Sequence, residues 1–137
     1  DKNGQSLLLR AQLSKLFAEY KVDVVLQGHD HMVSRTHPIT LDGTPSAETT
    51  ETLDGIEYTV NPSGTIYVMN GPAGSQTRTV NESYDFDKNT YAYYESSKSS
   101  SWAEFTVDGN LLTVRVKNAS NGTEVVQKTW GIKKTAV

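Results

Sequence analysis

The segment Val22-Asp23-Val24-Val25-Leu26-Gln27-Gly28-His29-Asp30-His31 joins an apolar run to a loop that holds two of the three histidines. Because the run is rich in β-branched residues and ends at a glycine, it predicts a buried strand of the kind found in parallel sheets. In α/β sheets, ligands bind in the loops just beyond the carboxyl ends of the strands. Residues 29–32 therefore lie where a functional site is expected.

The residues before this strand predict an amphipathic helix. Residues 5–20 place apolar side chains on one stripe at helical spacing. The stripe consists of Leu9, Leu13, Leu16, Phe17 and Tyr20. A helix with such a stripe needs an apolar surface to cover, so we expect it to pack against the sheet.

The residues after the loop predict mainly β structure. Residues 55–60 and 65–69 have the composition of short strands, whereas residues 40–52 predict an exposed excursion. The tail predicts an antiparallel meander with turns at Asp108-Gly109 and Asn121-Gly122. Its three strands are expected at residues 102–107, 111–116 and 125–130.

Residues 75–100 are polar and predict a long loop. Five aromatic residues are interleaved with the polar ones, and we expect them to anchor the loop rather than to form a binding platform. They are Tyr84, Phe86, Tyr91, Tyr93 and Tyr94.

These elements predict a single α/β unit that is α+β-like, because its antiparallel strands are gathered in the tail. Residues 1–39 hold the helix, the strand and the Gly-His-Asp-His loop. Residues 40–100 hold strands with long loops, and residues 101–137 hold the meander.

The composition excludes several classes of protein. With 137 residues, 36% hydrophobic and 21% charged, the chain is globular rather than disordered. A net charge of −3 without a basic stripe argues against nucleic-acid binding. The absence of cysteine excludes a disulfide scaffold, a thiolate zinc site and a cysteine nucleophile. The longest apolar run is too short to span a bilayer.

The first residues, Asp1-Lys2-Asn3-Gly4, do not resemble a native start, so we expect an internal or processed fragment. One helix cannot cover a parallel sheet on both faces. Such a fragment exposes apolar surface and a strand edge, and we therefore predict that it self-associates.

The two loop histidines are candidate metal ligands. In an extended backbone, residues i and i+2 point the same way, so His29 and His31 can present their rings to a common region. Imidazole is a good ligand for iron, zinc and manganese. Two histidines are only half of a catalytic metal site, and a pair of solvated surface histidines is the alternative interpretation.

Residues 13–31, Leu-Ser-Lys-Leu-Phe-Ala-Glu-Tyr-Lys-Val-Asp-Val-Val-Leu-Gln-Gly-His-Asp-His, resemble the closing signature of the calcineurin-like metallophosphoesterases, and especially their purple-acid-phosphatase-like branch. That signature runs from a helix through Tyr-x-Val-Asp and an apolar strand to Gly-His-x-His. Residues 34–39 retain the arginine and the proline that follow it. Residues 64–74 resemble the branch's second strand and glycine-rich loop, and residues 105–116 resemble its terminal hairpin.

The resemblance implies the C-terminal half of a metallophosphoesterase β-sandwich flanked by helices. It implies a binuclear phosphoesterase in which metal-bound hydroxide attacks a phosphate ester. By the same resemblance, His29 and His31 each ligate one of two metal ions (iron, zinc or manganese). Asp30, Arg35 and His37 are then expected near the ligands or near the substrate.

The remaining motifs of the family are absent. Its Asp-x-His, Gly-Asp-x-x-Asp and Gly-Asn-His-Glu sequences all precede Gly-His-x-His in family order, so truncation explains their absence and implies that these residues alone are inactive. The alternative is a non-catalytic α/β binding or interaction module in which the histidines are incidental. The acidic composition without cysteine, rich in Ser, Thr, Asn and Gly, suits an extracellular or cell-surface bacterial protein, and the resembling branch is often exported.

Overall fold

The computed structural model describes residues 4–74, 76, 79, 88–125 and 128–135. In that part of the chain, one α-helix and nine strands are assigned. The helix is α1 (Gly4–Glu19), and a short 3₁₀ turn lies at Lys88–Thr90. The strands are β1 (Val24–Gln27), β2 (Met32–Thr36), β3 (Thr50–Leu53), β4 (Ile56–Val60), β5 (Ile66–Asn70), β6 (Tyr91–Ser96), β7 (Ser101–Asp108), β8 (Leu111–Asn118) and β9 (Trp130–Lys133).

The first sheet is mixed and has the strand order β1-β5-β2-β6. β1 runs parallel to β5, which confirms the expected parallel pairing, while β2 runs antiparallel to both β5 and β6. The prediction that β1 is buried is wrong. β1 is the last strand on its side of the described sheet, and Leu26 is 59% exposed.

The predicted helix is confirmed as α1, but its apolar stripe is only partly covered. The ring of Phe17 contacts the ring of Tyr67 on β5, with centroids 6.4 Å apart. Leu13, Leu16 and Tyr20 are exposed, and the side chain of Leu9 lies outside the described residues. No helix in the described segments is long and apolar enough to cross a membrane.

The second sheet is also mixed and has the order β3-β4-β9-β8-β7. β7 and β8 form the predicted hairpin, with Asp108 opposite Leu111. β9 runs antiparallel to β8 and completes the meander, but it also runs parallel to β4. The predicted bounds of the third strand, residues 125–130, are wrong, because β9 begins only at Trp130, the last residue of that range. Residues 126 and 127 of that prediction lie outside the described residues.

Two predicted loops contain strands. β3 begins within the predicted excursion and ends one residue past it, where Thr50–Leu53 pairs with β4. β6 lies within the predicted long loop, so the expectation that Tyr91, Tyr93 and Tyr94 anchor a loop is wrong. Aromatic residues are enriched in strands, and this preference outweighed the polar composition around them. Tyr84 and Phe86 lie outside the described residues.

The two sheets enclose a common core. Ile66 and Val68 of β5 pack with residues of β8 and β9 from the second sheet, namely Val114, Trp130 and Ile132. On the opposite face of β9, a side chain at Gly131 would approach the Tyr58 ring to 2.3 Å, so the ring lies directly over the glycine. The described chain is thus mostly β structure, α/β in a broad sense.

Candidate functional site

Several strand ends meet at the Gly-His-Asp-His loop. Because β1 and β5 are parallel and β2 is antiparallel to β5 and β6, the carboxyl ends of β1, β5 and β6 lie beside the amino end of β2. Residues 28–31 join β1 to β2 at this edge. The position agrees with the rule that ligands bind beyond the carboxyl ends of strands.

The backbone of His29 has a conformation that residues other than glycine rarely adopt. Its φ is +80°, in the left-handed region, and its side chain is 93% exposed. Its Nδ1 lies 3.5 Å from Oδ1 of Asp30, which is also exposed. Since the backbone is not extended at His29, the alternation that would point both rings to one side does not apply. Backbone outliers of this kind gather at functional sites.

His31 is half-buried and held by the main chain of a distant loop. Its Nδ1 lies 2.7 Å from the carbonyl oxygen of Gln76. A carbonyl only accepts hydrogen bonds, so Nδ1 carries a proton, and in the neutral ring Nε2 then keeps its lone pair. Histidines that ligate metals usually donate their other ring N–H in this way. The surroundings of His31 are therefore compatible with Nε2 acting as a metal ligand.

Arg35 is buried between the sheets rather than at the histidine loop. It lies opposite Val68 in register and so points into the core. Its Nη1 and Nη2 donate to Oε2 and Oε1 of Glu48, at 2.9 and 3.3 Å. Its Cζ lies 4.9 Å from the centre of the Trp130 ring, in cation–π geometry. Both charged side chains are less than a tenth exposed.

His37 contacts the same carboxylate, and with Arg35 and Thr59 it forms a cluster around Glu48. Its Nδ1 lies 2.7 Å from Oε1 of Glu48, and Thr59 also donates a hydrogen bond to this carboxylate. Burial raises the pKa of Glu48, but the hydrogen bond from Thr59, the charge of Arg35 and the further hydrogen bonds together hold the pKa below its usual value.

The two groups of predicted site residues are therefore not brought together. His29, Asp30 and His31 share one loop, whereas Arg35 and His37 belong to the Glu48 cluster. Because a strand rises about 3.3 Å per residue, His37 lies roughly 20 Å along the chain from His31. Within the described residues, no three or more His, Asp and Glu side chains are grouped so as to hold a metal ion.

Sequence reasoning missed two partners. Glu48 lies in a stretch that composition predicted to be exposed. Its carboxylate is buried where it pairs with Arg35 of β2. Gln76 contacts His31 through its main-chain oxygen. Every residue has such an oxygen, so the amino-acid sequence does not indicate this contact. The glycine-rich residues 71–74, directly after β5, were the available signal that a loop forms at this edge.

Comparison with known proteins gives one short similarity. Two proteins of Mycobacterium tuberculosis, from strains CDC 1551 / Oshkosh and ATCC 25618 / H37Rv and both described as uncharacterized, are each 44% identical to this chain over 39 residues. That stretch is 28% of this chain and 7% of each relative's length. No protein-family model matches the chain, and no solved structure does.

Proposed function

We propose that this chain is the C-terminal part of a binuclear, metal-dependent phosphoesterase, to which His29 and His31 each contribute one ligand. The observation that carries the proposal is the hydrogen bond between Nδ1 of His31 and the Gln76 carbonyl. It leaves Nε2 of a half-buried imidazole available as a ligand, at the sheet edge where ligands bind.

The residues of the loop have different tasks in this proposal. His31 is held in place before any ligand arrives, so little ordering is needed when it binds. The side chain of His29 is 93% exposed and lies beside Asp30, so its ring can turn towards a second ion. Asp30 lies close enough to His29 to orient that ring. When bound, the metal ions supply Lewis-acid stabilisation of the phosphate ester.

Hydrolysis of a generic aryl phosphate by the full-length protein tests the proposal. We expect metal-dependent turnover that His31→Ala and His29→Ala each reduce by at least about a hundredfold, as loss of groups that hold catalytic metals does. Full activity in both histidine variants would contradict the proposal. The 137 residues alone are expected to be inactive, so turnover by this chain without further residues would contradict it as well.

The competing function is a binding or interaction module. The high exposure of His29 favours it, since an unconstrained surface histidine has the same appearance. The module predicts that neither histidine variant changes metal content or hydrolysis, and that the full-length protein has no metal-dependent activity.

A further inference from the structure

We propose that Ser101 is a positioning residue for His31. Ser101 fixes the loop that follows β5, and this loop presents the Gln76 carbonyl that selects the Nδ1–H form of the His31 ring. The consequence for metal binding rests on the proposed phosphoesterase function, whereas the selection of the ring form does not.

Ser101 anchors the loop with two hydrogen bonds. It is the first residue of β7, in the second sheet, and is 8% exposed. Its Oγ donates to the carbonyl oxygen of Asn70, and its backbone N–H donates to the carbonyl oxygen of Pro72 at 3.1 Å. Both donors of one buried residue therefore hold the first turn of the loop after β5.

Gly71, between these two acceptors, is confined on the other side by β2. Its N–H donates to the carbonyl oxygen of Met32 at 2.9 Å. Its φ is +77°, and an added side chain would lie 2.8 Å from Oγ of Ser101 and 3.1 Å from Val33. The turn is thus held between β7 and the residue that directly follows His31.

A third hydrogen bond, from Ser100, holds the loop closer to Gln76. Oγ of Ser100 donates to the carbonyl oxygen of Gly74, two residues before Gln76. The position of a main-chain carbonyl depends on how its loop is held. The contacts of Ser100 and Ser101 with residues 70–74 therefore constrain where the Gln76 oxygen lies relative to His31.

Nitrogen-15 NMR of the imidazole rings tests the inference directly. Spectra are recorded at about pH 9, well above the ordinary imidazole pKa, so that the two neutral ring forms are distinguished. We expect the Nδ1–H form to dominate at His31 in the natural chain. Ser101→Ala should lower the ratio of the Nδ1–H to the Nε2–H form by about fivefold or more, the effect of losing one ordinary hydrogen bond.

Ser99→Ala is the matched control. Its Oγ donates to Oδ1 of Asn118, so this variant removes a hydroxyl from the same segment without removing a hydrogen bond to the loop after β5. We expect its His31 ratio to equal that of the natural chain. Should Ser101→Ala fail to fold, Ser100→Ala carries the test with the same expected direction.

An unchanged ratio in a folded Ser101→Ala chain, or equal changes in Ser101→Ala and Ser99→Ala, would overturn the inference. Either result would leave the phosphoesterase proposal standing, because metal content and hydrolysis test that separately. Conversely, a ratio that falls only in Ser101→Ala supports the inference even if the full-length protein binds no metal.

Discussion

Nδ1 of His31 lies 2.7 Å from the carbonyl oxygen of Gln76, a residue 45 positions further along the chain. This contact joins the loop after β1 to the loop after β5, two strands that are parallel neighbours. Sequence alone leaves the role of this histidine ambiguous, whereas the contact places a proton on Nδ1 and does not use the lone pair of Nε2 in the neutral ring.

The buried Arg35–Glu48 pair predicts that removing one charge lowers the free energy of unfolding more than removing both charges does. Arg35→Met leaves a buried carboxylate without its main partner, and we expect a loss of about 3–5 kcal/mol in the free energy of unfolding. Arg35→Met combined with Glu48→Leu removes both charges and should recover most of that loss. Urea unfolding of the three chains measures both effects.

An exposed pair serves as the control for this experiment. Lys133 and Glu51 form an ion pair at 2.8 Å whose side chains are 22% and 43% exposed. Glu51→Gln should cost no more than about 1 kcal/mol, because solvent screens the interaction. Equal losses at the buried and exposed pairs would contradict the assignment of Arg35 to the core.

Glu48 also predicts part of the acid sensitivity of the fold. Its pKa is lowered in the folded state, so its contribution to stability is present above its ordinary pKa of 4.5 and is lost as pH falls through the folded-state value. Glu48→Gln should therefore show a smaller drop in unfolding free energy between neutral and acidic pH than the natural chain. An identical pH profile in the two chains would refute this role.

Tyr93 predicts a loss of stability at alkaline pH. Burial raises its pKa to about 12, and the charge of Arg35 opposes that rise only in part. A raised pKa means that the stabilising contribution is complete below the ordinary value of 10.0 and disappears as pH rises towards about 12. Tyr93→Phe should remove this dependence, as measured by unfolding free energies and by tyrosinate absorbance. A Tyr93 ring that ionises with the exposed tyrosines would contradict it.

The position of β1 at the edge of the described sheet predicts self-association of the 137-residue chain. β1 has no charged residue and exposes Leu26, a combination that leaves a strand edge unprotected. Light scattering at increasing concentration should reveal dimers or larger species, and Leu26→Lys should reduce them. Leu41→Lys is the control, since Leu41 is equally exposed, at 59%, but lies outside the strands. A monomer at all concentrations would contradict the prediction.

Local pattern predicted the elements that a short stretch of sequence defines by itself. Helix α1 and the β7–β8 hairpin were predicted because periodicity and a turn at Gly109 define them within about 20 residues. β1 and β5 were predicted as strands from their β-branched composition. The exposure of β1 was not predicted, because it depends on how many strands lie beside it in the sheet.

The features that sequence did not predict depend on contacts across the fold. The polar composition around β6 predicted a loop, whereas in the structure these residues form a strand that pairs with β2. The resemblance placed Arg35 near a site, yet its guanidinium is buried against Glu48 and Trp130. No pattern within residues 40–52 indicated that Glu48 would be buried. The histidine loop was predicted from its position after a strand, and its left-handed residue was not.

The metal content of the full-length protein, purified with and without His31→Ala, tests the proposed function most directly. We expect about two metal ions per chain in the natural protein and a clear loss in His31→Ala. His37→Gln, which keeps a hydrogen-bonding group beside Glu48, should retain its metal. A natural protein without bound metal, or equal metal content in all three chains, would contradict the proposal and favour the interaction module.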